Sequence, residues 1–145
     1  DDFDRILRVN LRTPFLLCQA VIPHMQKNNW GRIVNLTSIF GSITKEYRAS
    51  YSSSKFGIKG LTKATALDLA SKNIYVNSIS PGFIDTKLTR KVLKKSGILK
   101  ITKDIPLLRM GKPKEIAYLA LYLASDYNTY ITGQDFLIDG GFTSK

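Results

Sequence analysis

The sequence predicts an α/β fold in which short parallel strands alternate with helices, and three observations carry that expectation. Residues 32–37, 74–80 and 136–138 are brief, apolar and rich in β-branched side chains, as strands buried on both faces of a parallel sheet must be. The segments between them repeat apolar residues every three or four positions, the period of a helix with one face inward. Pro81-Gly82 and Asp139-Gly140-Gly141 close the last two strands with residues suited to abrupt turns.

Residues 2–28 read as the first helix. Leu7, Leu11, Phe15, Cys18, Ile22 and Met25 form its apolar stripe, and Lys27-Asn28-Asn29 close it. Pro14 interrupts it. Proline has no N–H to give to the carbonyl four residues back, which belongs to Asn10, so a kink is expected with a backbone acceptor left open there. That carbonyl either anchors an ordered water or merely marks a capped break. His24, near the helix end, is expected at the surface.

Gly31 ends this unit and residues 32–37 follow as a strand, with Ser38 at its carboxyl end. Ligands of open α/β sheets bind outside the carboxyl ends of strands, so the Ser38 hydroxyl is placed to donate to a substrate oxygen. Its alternative is a turn-forming serine, which Gly41 supports. A loop then leads to a helix starting near Tyr51. Tyr51, Lys55, Ile58, Thr62, Thr65 and Leu69 share one face of it, and Gly57, Gly60 and Ala64 offer room for a close neighbour. Tyr51 and Lys55 are one turn apart, and an ammonium near a phenol favours the phenolate. By itself Tyr-x-x-x-Lys is weak, since roughly 0.7 chance occurrences are expected in this composition. Residues 74–80 form the second strand, through a crossover expected to be right-handed. The loop 81–86 also leaves the carboxyl edge, so Ser38, Tyr51, Lys55 and this loop are expected to converge on one crevice.

Residues 86–103 interleave seven basic side chains with Leu88, Val92, Leu93, Ile98 and Leu99. Pro113 suits a first helical turn, and residues 115–124 are apolar on most faces, which predicts burial against sheet and neighbour. Residues 136–138 are the third strand.

Composition excludes several classes. The chain has 145 residues, 43% of them hydrophobic, enough for one core. A net charge of +11 raises nucleic acid as a partner, but the basic residues are dispersed and no aromatic-interleaved basic module occurs. Cys18 is the only cysteine, so no disulfide framework or zinc spacing exists, and a reducing, cytoplasmic compartment is expected. No apolar run reaches the roughly 18 residues of a membrane span, and the acidic start does not suit a signal peptide.

Asn10-Leu11-Arg12-Thr13, residues 31–38, Tyr51-Ser52-Ser53-Ser54-Lys55, Pro81-Gly82-Phe83-Ile84-Asp85-Thr86 and Ile138-Asp139-Gly140-Gly141 together resemble the short-chain dehydrogenase/reductase family, in particular its 3-oxoacyl-carrier-protein reductase type. The order and spacing match, including thirteen residues from Ser38 to Tyr51. The resemblance implies the C-terminal part of a Rossmann-like doubly wound parallel sheet, using NAD or NADP to reduce a ketone or oxidise a secondary alcohol. It implies Tyr51 as general acid and base, Lys55 as its partner and ligand of the nicotinamide ribose, Ser38 as a donor to the reacting oxygen, and Asn10 as holder of a relay water. Pro81, Gly82, Ile84 and Thr86 match cofactor-contacting positions. It also implies a mobile substrate lid at about 86–105, which could steer an anionic thioester or be only a solvated helix face. A homo-oligomer, dimer or tetramer, is implied too. One departure counts against autonomy. The glycine-rich turn and the Asn-Asn-Ala-Gly stretch of the family do not occur, and there is no initiator methionine. The expectation is therefore either a working oxidoreductase or an inactive C-terminal fragment with a structural role.

Overall fold

A computed structural model describes residues 2–145; Asp1 lies outside the described residues. Three strands, β1 (Gly31–Leu36), β2 (Ile74–Pro81) and β3 (Asp135–Ile138), form one sheet in that order, both pairs parallel. Residue Ile33 of β1 is in register with Val76, and Ile79 of β2 with Phe136. Five helices surround it: α1 (Asp2–Leu7), α2 (Thr13–Lys27), α3 (Ala49–Leu69), α4 (Lys87–Asp104) and α5 (Pro113–Leu123). The parallel strands and α-helical crossovers answer to the predicted α/β class, a three-stranded portion of a Rossmann-like sheet.

The centre of the core is Ala66 and Leu69 from α3 against Ile74 and Val76 from β2, with Ile22, Met25 and Ile33 packed on it. Each fully buried aliphatic side chain here is worth about 1.5–3 kcal/mol. The α3 face expected from the sequence is the one that turns inward, since Ile58, Thr62, Thr65 and Leu69 are all buried. Gly57 lies where Leu11 packs, because an added Cβ would meet the Leu11 Cδ2 at 2.8 Å. At Gly60 an added Cβ would meet nothing within 4 Å among the described residues.

The single kinked helix expected over residues 2–28 is instead three pieces. Residues Arg8–Arg12 form a π turn between α1 and α2. Thr13 donates its backbone N–H to the Arg8 carbonyl, five residues back, and its hydroxyl to the same oxygen at 2.9 Å. Pro14 has no N–H, so the ladder cannot resume at Asn10 and the slip is absorbed locally. The apolar stripe is also less buried than its period suggests, for Phe15 is exposed. A second proline, Pro23, stands inside α2 without ending it.

Helix α4 is broken at Lys94, whose backbone is left-handed (φ 54°), and none of its side chains is fully buried. Helix α5 begins at Pro113 as expected, but only Leu123 is buried, and Tyr118 and Leu121 face outward. Lys114 lies over the Tyr118 ring, its Nζ 5.8 Å from the centroid. Among the described residues no helix is long and apolar enough to cross a membrane.

Candidate active site

Ser38 follows the carboxyl end of β1, and its backbone is extended (φ −170°) before a 3-10 turn at Ile39–Gly41. Its Oγ accepts from the Phe40 N–H at 3.2 Å, which caps the turn and orients the hydroxyl. The serine is thus both turn former and potential donor, since its own proton has no acceptor among the described residues. Tyr51 stands in the first turn of α3, half-buried, its hydroxyl likewise without a partner among the described residues. Its ring meets Phe40 edge-on (centroids 6.3 Å apart), Phe40 meets Phe83 (6.4 Å), and Phe83 meets Phe142 (5.2 Å). This run of edge-to-face rings forms an apolar wall. Ser38 and Tyr51 line one cleft of about 240 Å³, together with Gly82 and Phe83 from the loop after β2 and Leu88, Thr89, Val92 and Leu93 from α4.

Lys55 does not line that cleft. Its Nζ donates to the Leu36 carbonyl at 3.0 Å and stands 5.7 Å from the Tyr51 ring centroid. Burial pushes its pKa below the usual lysine range. The side chain lines a second hollow of about 500 Å³ with Asn10, Val9, Leu17, Ile33 and Leu36. Asn10 donates its side-chain N–H to the Ser54 Oγ at 3.2 Å, tying the π turn to α3. The four residues named from the sequence as catalytic thus divide between two adjoining spaces, Ser38 and Tyr51 in one, Asn10 and Lys55 in the other.

Among the expected cofactor contacts, Gly82 packs so closely that a Cβ would come within 2.7 Å of the Asp139 Cα. Ile84 bridges to Gly111, but the bridge uses the Asp85 N–H and the Phe83 carbonyl. The backbone N–H and carbonyl of Ile84 itself therefore have no partner among the described residues. Such a donor and acceptor on one residue suit a primary amide such as the nicotinamide carboxamide. Thr86 instead caps α4, its Oγ1 accepting from the Thr89 N–H at 3.1 Å. Pro81 is the last residue of β2. With the Lys55 ammonium, these groups fit the nicotinamide and ribose end of a dinucleotide.

Two features escaped the sequence reading. Lys59, one turn beyond Lys55, forms an ion pair with Asp135 at 2.7 Å and also donates to the Ser42 Oγ. Asp135 further accepts from Ser78 (2.6 Å), Ser80 (2.8 Å) and Thr37 (3.3 Å), so this network joins α3, the turn after Ser38 and all three strands. Burial alone would raise the Asp135 pKa, but the bonds from Lys59, Ser78 and Ser80 together hold it below the usual range. Arg48, at the N-cap of α3, lines the Ser38–Tyr51 cleft. Lys59 is visible in sequence only as a charge on a helix that already carries several, and nothing in the spacing links it to β3.

A family model described as enoyl-(acyl carrier protein) reductase matches residues 1–143. The 3-oxoacyl-[acyl-carrier-protein] reductase FabG of Thermotoga maritima is 43% identical over 141 residues, covering 97% of this chain and 57% of that protein. Among solved structures, a 4-hydroxyisoleucine dehydrogenase mutant complexed with NADH and succinate superposes with a TM-score of 0.94 at 40% identity, covering 100% of this chain and 61% of the other. A gluconate 5-dehydrogenase from Burkholderia cenocepacia in complex with NADP and tartrate gives 0.95 at 33% identity, covering 100% and 57%. The chain spans a little over half the length of the curated relatives it matches.

Proposed function

The chain belongs to the short-chain dehydrogenase/reductase family, and on that premise we propose that it carries the catalytic and substrate-binding part of an oxidoreductase that uses NAD or NADP to interconvert a ketone and a secondary alcohol. The observation that carries this reading is the pair of hydroxyls, Ser38 and Tyr51, each with a proton uncommitted within the chain and both facing one cleft with largely apolar walls. The bound nicotinamide would supply or accept the hydride. The Tyr51 phenol gives its proton to the carbonyl oxygen as the carbonyl carbon is reduced, and takes it back in the oxidative direction. Ser38 donates to the same oxygen and stabilises the charge that develops there. Lys55 holds the ribose hydroxyls, its ammonium kept near the Tyr51 ring by the Leu36 carbonyl. Asn10 holds the relay water, and Ile84 bonds the carboxamide.

In this reading residues 1–145 belong to one domain with α4 as its lid, at about 86–105. The names of the reductase relatives point to a 3-oxoacyl thioester as substrate. A homo-oligomer, dimer or tetramer, in the cytoplasm completes the reading, and the outward apolar residues of α2 and α5 support the first part of it. Nucleic acid and membrane are not partners in this reading. Loss of duplex binding between low and physiological salt supports the first of those exclusions, and binding that persists would overturn it.

The second reading, a chain unable to bind the cofactor alone, is favoured by the open apolar hollow beside Lys55. Titration of nicotinamide fluorescence separates the two. A change with this chain alone supports the working enzyme. A change seen only with the full-length gene product supports the fragment, and no change in either sinks the oxidoreductase reading.

A further inference from the structure

The Ser38–Tyr51 cleft has one charged side chain on its wall, Arg48, and no carboxylate. Arg48 caps α3 three residues before Tyr51, so the guanidinium and the phenol leave the helix about one turn apart. Its guanidinium carbon is 5.9 Å from the Phe40 ring centroid, and that same ring meets Tyr51 edge-on. Phe40 therefore forms a floor shared by the cation and the phenol. Of the other arginines, Arg8 and Arg12 line a separate hollow beside α1, and Arg5 pairs with Asp2. Arg90 and Arg109 each hold a carboxylate through two bonds, and Arg32 donates to three backbone carbonyls. The five N–H donors of Arg48 have no acceptor among the described residues, and its only described interaction through the guanidinium is with the face of Phe40.

A planar fork of donors beside an apolar cavity is matched by a planar anion. We propose that Arg48 binds the carboxylate of a short oxo acid, or of the corresponding hydroxy acid, so that the reacting carbon falls between Ser38 and Tyr51. The anion belongs to the substrate itself. The cleft is about 240 Å³, and Arg48 and Tyr51, three residues apart, both line it. A carrier's phosphate, at the far end of a pantetheine arm, lies much farther from its thioester than this. The proposal rests on the oxidoreductase reading and replaces the thioester with a free acid as the preferred substrate.

The test uses the full-length gene product with acetoacetate, its neutral methyl ester and acetoacetyl-coenzyme A. In the wild type kcat/KM is expected to favour the acid over both esters. Arg48→Gln is expected to lower the acid-to-methyl-ester ratio of kcat/KM by about 10- to 100-fold, mainly through KM, and Arg48→Lys to restore part of it. An unchanged ratio in Arg48→Gln, or a wild-type preference for the coenzyme A ester, overturns the proposal. Saturation-transfer NMR with butanoate in the presence of NADH gives a readout that needs no turnover. A butanoate signal in the wild type that Arg48→Gln abolishes supports the carboxylate site even if no ketone is reduced, a result that would sink the oxidoreductase reading alone. No butanoate signal in a wild type that reduces ketones overturns the carboxylate site and leaves that reading standing.

Discussion

The two hollows that flank Tyr51 and Lys55 are built differently. The cleft of Ser38 and Tyr51 is walled by a run of aromatic rings, the loop after β2 and the first half of α4. The hollow of Asn10 and Lys55 lies between α2 and the outer edge of β1, where Leu36 is 57% exposed. The sheet explains the contrast. Strand β2 has a neighbour on each side and is buried along almost its whole length, whereas β1 pairs on one side only among the described residues. The groups assigned to the carbonyl are therefore enclosed by this chain's own elements, and the groups assigned to the ribose are not.

That contrast can be tested through both kinetics and stability. In the full-length gene product, Tyr51→Phe removes the proton donor and is expected to lower kcat by about a thousandfold with little change in cofactor affinity, measured by nicotinamide absorbance and fluorescence. Ser38→Ala, on the same enclosed side, removes one donor to the developing oxyanion, and a loss of about a hundredfold in kcat is expected. Lys55→Ala should depart from both, weakening the cofactor's dissociation constant as well as kcat. If Lys55→Ala leaves that constant untouched, the division of roles between the two hollows is wrong.

The next effect is on stability. Asp135→Ala strands the Lys59 ammonium and the hydroxyls of Ser78 and Ser80, for an expected loss of about 2 kcal/mol in urea unfolding. Because the folded Asp135 pKa is lowered, the network's contribution is present above the unfolded value near 3.8 and is lost as pH falls through the lower folded value. The smallest effect concerns Glu115, which is held by Arg109 and the Lys112 N–H and has its pKa lowered to about 2. Its contribution is complete above the unfolded value of 4.5 and fades as pH falls toward about 2, so Glu115→Gln should flatten the acid limb of the melting temperature only slightly. A larger change there than for Asp135→Ala would contradict the ranking of the two pairs.

The strands were legible because each is a short β-branched run ended by Ser38, Pro81-Gly82 or Asp139-Gly140-Gly141, and their observed bounds differ from the expected ones by no more than one residue at either end. The inward face of α3 was legible for the same reason, a period of three and four. What local pattern cannot carry is a partner far along the chain. Lys59 and Asp135 each look like surface charges until the sheet brings them together. Arg48 lies at a loop-to-helix boundary, where no period says which way a side chain points. Helix α5 was read as covered by the sheet and a neighbour, and within the described residues its Tyr118 and Leu121 are left exposed on the side assigned to that neighbour.

The π turn at Arg8–Arg12 winds in one residue more than an α-helix would hold, so everything before it is rotated by about 100° relative to a straight continuation of α2. Deleting Val9 would let the coil close up as ordinary helix, and the whole upstream segment would swivel with it. Helix α1 would then be carried off its seat on α3, although no atom of either helix had been altered. A helix in this chain keeps its aim by miscounting once.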